Sequence, residues 1–199
     1  MITAALIGNP NSGKTTVFNK LTGSIQHVGN WPGVTVERKQ GYIRNTSKDR
    51  ILVVDLQGVY SLSPYSPEEI VSREYLIGTQ ESKPDVAINI VDASNMERAL
   101  YLLLQVADLG IPMVVVLNMV DIAEKNGMRV DSRELAESLG CEVVETIGIR
   151  NMGTSEIGEA VQRAYDSKKV PKTITYSESL ERCISDVQAI IAQQVRDGL

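Results

Sequence analysis

The residues from Gly8 to Thr15 have the types and spacing that hold a phosphate. Gly8-Asn9-Pro10-Asn11-Ser12-Gly13-Lys14-Thr15 fits G-x-x-x-x-G-K-[ST] at every fixed position. Glycines let backbone N–H groups approach phosphate oxygens, and the N-terminus of a following helix adds positive field. In such a loop Lys14 reaches the β- and γ-phosphates, and the Thr15 hydroxyl ligates Mg²⁺. Downstream, Asp55-Leu56-Gln57-Gly58 closes an apolar run. An Asp there can hold Mg²⁺ through water, and the Gly58 N–H can sense a γ-phosphate. Asn118-Met119-Val120-Asp121 closes another apolar run. The Asp121 carboxylate can accept two hydrogen bonds from guanine N1–H and N2–H₂, a donor pair that adenine lacks. Such pairing rejects the wrong base because it would leave a buried charge unpaired. The Asn118 side chain has two readings: it ties this loop to the phosphate loop, or it contacts the base.

Between the first two motifs lies a glycine- and proline-rich loop, residues 28–37, with one large aromatic, Trp31. Thr35 is spaced to ligate Mg²⁺ when a γ-phosphate is present, and Gly33 and Val34 stand beside it. Such a loop can order on nucleotide binding and relax after hydrolysis. Trp31 is either a partner-facing anchor or a residue that packs the loop. His27, the single histidine, reads as a solvated loop residue.

These motifs need a scaffold that presents loops at strand C-termini, where open α/β sheets bind ligands. The sequence supplies one. Apolar runs at 4–7, 51–55, 86–91, 113–117 and 142–145 suit parallel strands buried on both faces, with an edge strand at 40–45. Helical patterns lie between them, at 15–21, 67–77, 96–109, 132–139 and 155–165. The alternation predicts an α/β domain of the P-loop type: a mainly parallel, six-stranded sheet with helices on both faces. Residues 167–172 read as a linker. A final helical pattern at 177–195 carries Leu180, Ile184, Val187 and Ile191 at helical spacing. The expected organisation is a nucleotide-binding domain over 1–170. Residues 171–199 then form a linker and the first helix of an incomplete helical domain.

Composition narrows the classes. The 199 residues carry a net charge of −5, with no basic excess of the kind nucleic-acid-binding proteins show. Cys141 and Cys183 are far apart and read as free thiols in a reducing compartment. No Cys, His and carboxylate cluster has transition-metal spacing. No apolar run reaches the roughly 18 residues that a membrane span needs. The apolar start reads as a strand rather than a signal peptide.

Together these stretches resemble the N-terminal G domain of ferrous iron transport protein B. The carrying residues are Gly8 to Thr16, Val28 to Glu37, Asp55 to Leu62 and Asn118 to Asp121, with 63–68 and 91–98 also similar. The resemblance covers about residues 1–170. It implies a Ras-like fold and slow GTP hydrolysis on the cytoplasmic face of a prokaryotic cell membrane, coupled to Fe²⁺ uptake by a transmembrane part of the same longer polypeptide. The implied GTP/GDP contacts are Gly8, Asn9, Pro10, Asn11, Ser12, Gly13, Lys14, Thr15, Thr16, Gly33, Val34, Thr35, Asp55, Gly58, Asn118, Met119 and Asp121. Gly148-Ile149-Arg150 stands where the family has a Ser-Ala-Arg-like loop on the guanine side, so a serine contribution is missing.

Asn11 stands where related GTPases hold K⁺, which could supply the charge an arginine finger supplies elsewhere. Lys14, Asn11, Thr35 and Gly58 are the implied catalytic set, with Thr15, Thr35 and Asp55 on Mg²⁺ and Asn11 on K⁺. Gln57 replaces the family's usual proline. Val59 occupies the place of the water-orienting glutamine of Ras-like proteins and has no polar group to orient water. Two other functions fit the motifs: a nucleotide-gated interaction module with negligible turnover, and a stand-alone GTPase of the translation type, against which the acidic balance argues.

Overall fold

The computed structural model describes residues 1–23, 26–44, 48–79, 83–147 and 152–196. The elements run β1 (Ile2–Gly8), α1 (Lys14–Thr22), β2 (Gln26–Asn30), β3 (Glu37–Tyr42), β4 (Ile51–Asp55) and α2 (Pro67–Ile77). Then follow β5 (Val86–Asp92), a short 3₁₀ turn (Ala93–Asn95), α3 (Met96–Ala107), β6 (Met113–Asn118) and α4 (Val120–Lys125). The chain ends with α5 (Ser132–Leu139), β7 (Glu142–Thr146), α6 (Thr154–Ser167) and α7 (Glu178–Arg196).

The strands form one sheet in the order β2-β3-β4-β1-β5-β6-β7. Pairing is parallel from β4 through β7, and antiparallel at β2-β3 and β3-β4. The fold is therefore α/β, mostly parallel, with seven strands among the described residues instead of the six expected. The additional strand is β2, which falls partly within the stretch expected to be loop. Its residues from His27 to Asn30 are exposed, so it lacks the apolar pattern by which buried strands are recognised. Backbone pairing with β3, from Gln26 opposite Gly41 to Asn30 opposite Glu37, holds it instead. The edge strand expected at 40–45 begins earlier, at Glu37, and Asn45 lies outside the described residues. His27 is exposed as expected, but on a strand.

Helices cover both faces. One core layer gathers inward residues of α2 and α3, such as Tyr75, Leu102 and Val106, against Ile7, Val54 and Val115. The other gathers Val17 and Phe18 of α1 and Ile157 and Val161 of α6 against Leu6, Val53 and Ile88. Helix α2 starts as its sequence requires. Ser66 Oγ accepts the Glu69 N–H, a Glu69 carboxylate oxygen accepts the Ser66 N–H, and Pro67 opens the first turn. The linker after α6 is pinned to α5: the Lys172 N–H donates to the Leu139 carbonyl at 2.7 Å. Helix α7 leaves Leu180, Val187, Ile190 and Ile191 exposed. No helix among the described residues is long and apolar enough to cross a membrane.

Candidate functional site

The phosphate-type loop spans the gap between β1 and α1, and its two ends are sterically restricted to glycine. A Cβ on Gly8 would stand 2.6 Å from the Ile90 carbonyl oxygen. Gly13 has φ +84°, and a Cβ there would meet Asn118 Nδ2. Asn11 also takes a left-handed conformation, φ 65°, and its side chain faces solvent. No side chain caps α1, which leaves its first N–H groups directed at whatever occupies the loop. Ser12 Oγ is buried without a partner among the described residues.

Lys14 and Asp55 are both buried, and Lys14 Nζ donates to Asp55 Oδ1 at 2.5 Å. Burial pushes the Asp55 carboxyl above its ordinary value, opposed by the Lys14 charge and hydrogen bond. A cavity of about 500 Å³ opens over them, lined by Asn9, Pro10, Asn11, Gly13, Lys14, Thr15, Thr16, Gln57 and Gly58. The structure thus joins the first two motifs in one pocket. Gly58 sits against Pro10, where a Cβ would lie 3.1 Å from Pro10 Cα. The Val59 N–H donates to the Gly8 carbonyl at 3.3 Å. Val59 itself is buried and aliphatic.

The third motif reaches the pocket through Asn118, whose Nδ2 donates to the Ser12 carbonyl at 2.9 Å. Of the two sequence readings of Asn118, the structure has the tie to the phosphate loop. Met119 turns the chain with φ 62°, and Asp121 lies half-exposed in the first turn of α4. That short helix went unexpected because its six residues overlap the motif and show too little periodicity. Gly148, Ile149 and Arg150 lie outside the described residues.

Thr35, Gly33 and Val34 are not brought to the phosphate pocket. They are exposed and line a separate depression with Asn30, Trp31 and Pro67. Packing accounts for this placement. Trp31 is buried, meets Tyr75 of α2 edge-on at 5.1 Å between ring centroids, and carries the Arg38 guanidinium 4.6 Å above its ring. The Trp31 backbone N–H donates to the Val36 carbonyl at 2.9 Å, closing the loop between them. Trp31 therefore packs the loop.

Two contributors escaped sequence reasoning. Thr146 is fully buried, and its hydroxyl donates to Asn118 Oδ1 at 3.1 Å. Arg98 accepts the Asn9 side-chain amide on its carbonyl at 3.2 Å. No sequence pattern marks Thr146. Arg98 lies in a stretch that the resemblance singled out without giving it a role.

The loop, its acidic partner and the Asn118 tie define a P-loop domain on a Ras-like sheet. Comparison then narrows the class: the family model described as ferrous iron transport protein B (FeoB_N) matches residues 2–161, and the chain belongs to that family. It is 45% identical over 183 residues to the Fe(2+) transporter FeoB of Escherichia coli K12, covering 90% of this chain and 23% of that protein. A solved S. thermophilus NFeoB variant bound to GDP matches with a TM-score of 0.87 and 41% identity, over 96% of this chain and 72% of that one. The cytosolic domain of T. maritima FeoB in its GMPPNP form matches with a TM-score of 0.88 and 36% identity, over 96% and 75%. The chain spans about a quarter of the length of the curated relatives it matches.

Proposed function

We propose that this chain binds guanine nucleotide and slowly hydrolyses GTP as the regulatory domain of a prokaryotic ferrous iron transporter. It would act at the cytoplasmic face of the membrane, joined to a transmembrane iron-permeation part of a longer polypeptide. The carrying observation is the pocket that gathers Lys14 and Gly58 beneath a loop made for phosphate, with Asp55 paired to Lys14. The GDP- and GMPPNP-bound forms of the similar structures support the choice of nucleotide.

The residues present fit the groups this function needs. The glycine cradle, the unpartnered Ser12 hydroxyl and the buried Lys14–Asp55 pair suit a phosphate chain with its metal ion. Lys14 would leave Asp55 for the phosphates, and Thr15 and Asp55, joined by Thr35, would hold Mg²⁺. Asn11, with its side chain free toward solvent, would hold K⁺. The two cations supply charge neutralisation at the transferring phosphoryl group. Gly58 would donate its N–H to the γ-phosphate, and Asp121 would read the guanine edge. Residues 1–170 would form the hydrolysing domain, and α7 would begin a helical domain.

Turnover in KCl and NaCl, with and without Asn11→Ala, tests the K⁺ role. A faster rate only in KCl with Asn11 intact supports it, and four equal rates refute it. Competition of GTP against ATP tests the base. The second reading, a nucleotide-gated interaction module with negligible turnover, draws on buried Val59, which has nothing to orient water. Single-turnover hydrolysis in K⁺ separates the two.

A further inference from the structure

Helix α3 touches both halves of the phosphate pocket from behind. The Asn9 side-chain amide donates to the Arg98 carbonyl at 3.2 Å, and the Arg98 guanidinium carbon lies 4.0 Å from the centroid of the Tyr60 ring. Arg98 thus holds the phosphate loop with its backbone and the segment after Gly58 with its side chain. Two turns further along the same face, Gln105 Oε1 accepts the Leu62 N–H at 2.8 Å. The segment from Gly58 to Leu62 is therefore held at four points: by the Gly8 carbonyl through Val59, by Arg98 through Tyr60, by Glu69 through Ser61 and by Gln105 through Leu62. Two of these also reach the phosphate loop: Val59 at the Gly8 carbonyl and Arg98 at the Asn9 side chain.

We propose that Arg98 is a positioning residue for γ-phosphate recognition. By holding Asn9 and Tyr60 to one turn of α3, it sets where the Gly58 N–H stands relative to the phosphate loop. This rests on the guanine-nucleotide reading above. Arg98 makes no contact with nucleotide in this scheme and acts through Tyr60. Both side chains are partly or largely solvent-exposed, so their stacking contributes a few-fold to an equilibrium and not orders of magnitude. Removing the Arg98 side chain leaves its carbonyl, and so its bond to Asn9, in place. The effect should therefore fall on the γ-phosphate and spare GDP.

The test measures binding of fluorescent GMPPNP and fluorescent GDP to the full chain, together with kcat and KM for GTP in KCl. Arg98→Ala should weaken GMPPNP binding roughly fivefold, about 1 kcal/mol at 25 °C, with GDP affinity unchanged. It should lower kcat by a similar factor. Tyr60→Ala should do the same, and the double variant should be no worse than either single. Tyr60→Phe keeps the ring and should behave as wild type, and Arg98→Lys should recover part of the loss. Equal weakening of both nucleotides, additive single effects, or an unchanged GMPPNP-to-GDP ratio would each overturn the proposal. A wild-type chain that binds GMPPNP without turnover would refute the hydrolysis reading alone, and the affinity ratio would still decide the role of Arg98.

Discussion

The Asn118 side chain donates to the Ser12 carbonyl across 106 residues of sequence, at 2.9 Å and out of water. Its own oxygen accepts the Thr146 hydroxyl. The loop at Asn118 and the loop from Gly8 to Thr15 are thereby one mechanical unit, and strand β7 supports it from the far side. Removing Asn118 would take this donor from the buried Ser12 carbonyl and leave the Thr146 hydroxyl only its longer, 3.5 Å bond to the Leu117 carbonyl, at about 1–3 kcal/mol for a group left unsatisfied.

Asn118→Ala should therefore lower Tm and weaken nucleotide binding together. Thr146→Val keeps the shape and removes only the support, so it should cost about 1 kcal/mol, or roughly 2–4 °C in a domain of this size. Calorimetry and a GDP titration measure both. An unchanged Tm and affinity for Thr146→Val would show that β7 lends the motif no support.

Lys14→Met should destabilise the nucleotide-free chain by about 3–5 kcal/mol, because it leaves the buried Asp55 carboxylate uncompensated. Adding Asp55→Asn should recover much of that loss. The single variant should also acquire a pH dependence. Burial already raises the Asp55 carboxyl, and Lys14 is the main group holding it down. Without Lys14 the folded-state value rises further above the unfolded one, so stability is kept at low pH and lost as pH rises through the raised value. Denaturant midpoints at pH 5 and pH 8 test this, with the larger loss expected at pH 8.

Trp31 is the only tryptophan and is 3% exposed, so its emission should be blue-shifted. Delivery of Thr35 to the phosphate pocket requires the 31–36 loop to leave its seat on α2. GMPPNP with Mg²⁺ should then red-shift or quench Trp31 emission, while GDP should leave it unchanged. Identical spectra in both nucleotides would mean that the loop keeps its packing and that Thr35 is no metal ligand.

The two thiols should differ sharply in reactivity. Burial pushes the Cys141 thiol up to about 12, which leaves on the order of one thiolate in 10⁵ at pH 7. Cys183 is exposed on α7. A thiol reagent at neutral pH should modify Cys183 rapidly and Cys141 only on unfolding. Equal rates, followed by mass spectrometry, would contradict the burial of Cys141.

Much of the architecture was legible because it rests on local rules. Buried parallel strands must be continuously apolar, so β1, β4, β5 and β6 announce themselves. Ser66-Pro67 with Glu69, and Gly140 after Leu139, mark helix ends through hydrogen bonds made within a few residues. The phosphate loop is likewise local, since its glycines and Lys14 act within one turn between a strand and a helix. The exposed strand β2 and the short helix α4 were missed because neither buries enough apolar surface to leave a pattern.

The amino-acid sequence alone thus determined the α/β class, the phosphate loop and the motif at Asn118. Tertiary structure alone decided that Lys14 pairs with Asp55, that Asn118 leans on Thr146, that Trp31 keeps Thr35 away from the pocket, and that Arg98 stands behind both Asn9 and Tyr60. Each of these contacts joins distant segments through the order in which the strands lie in the sheet. Spacing along the chain carries no trace of that order.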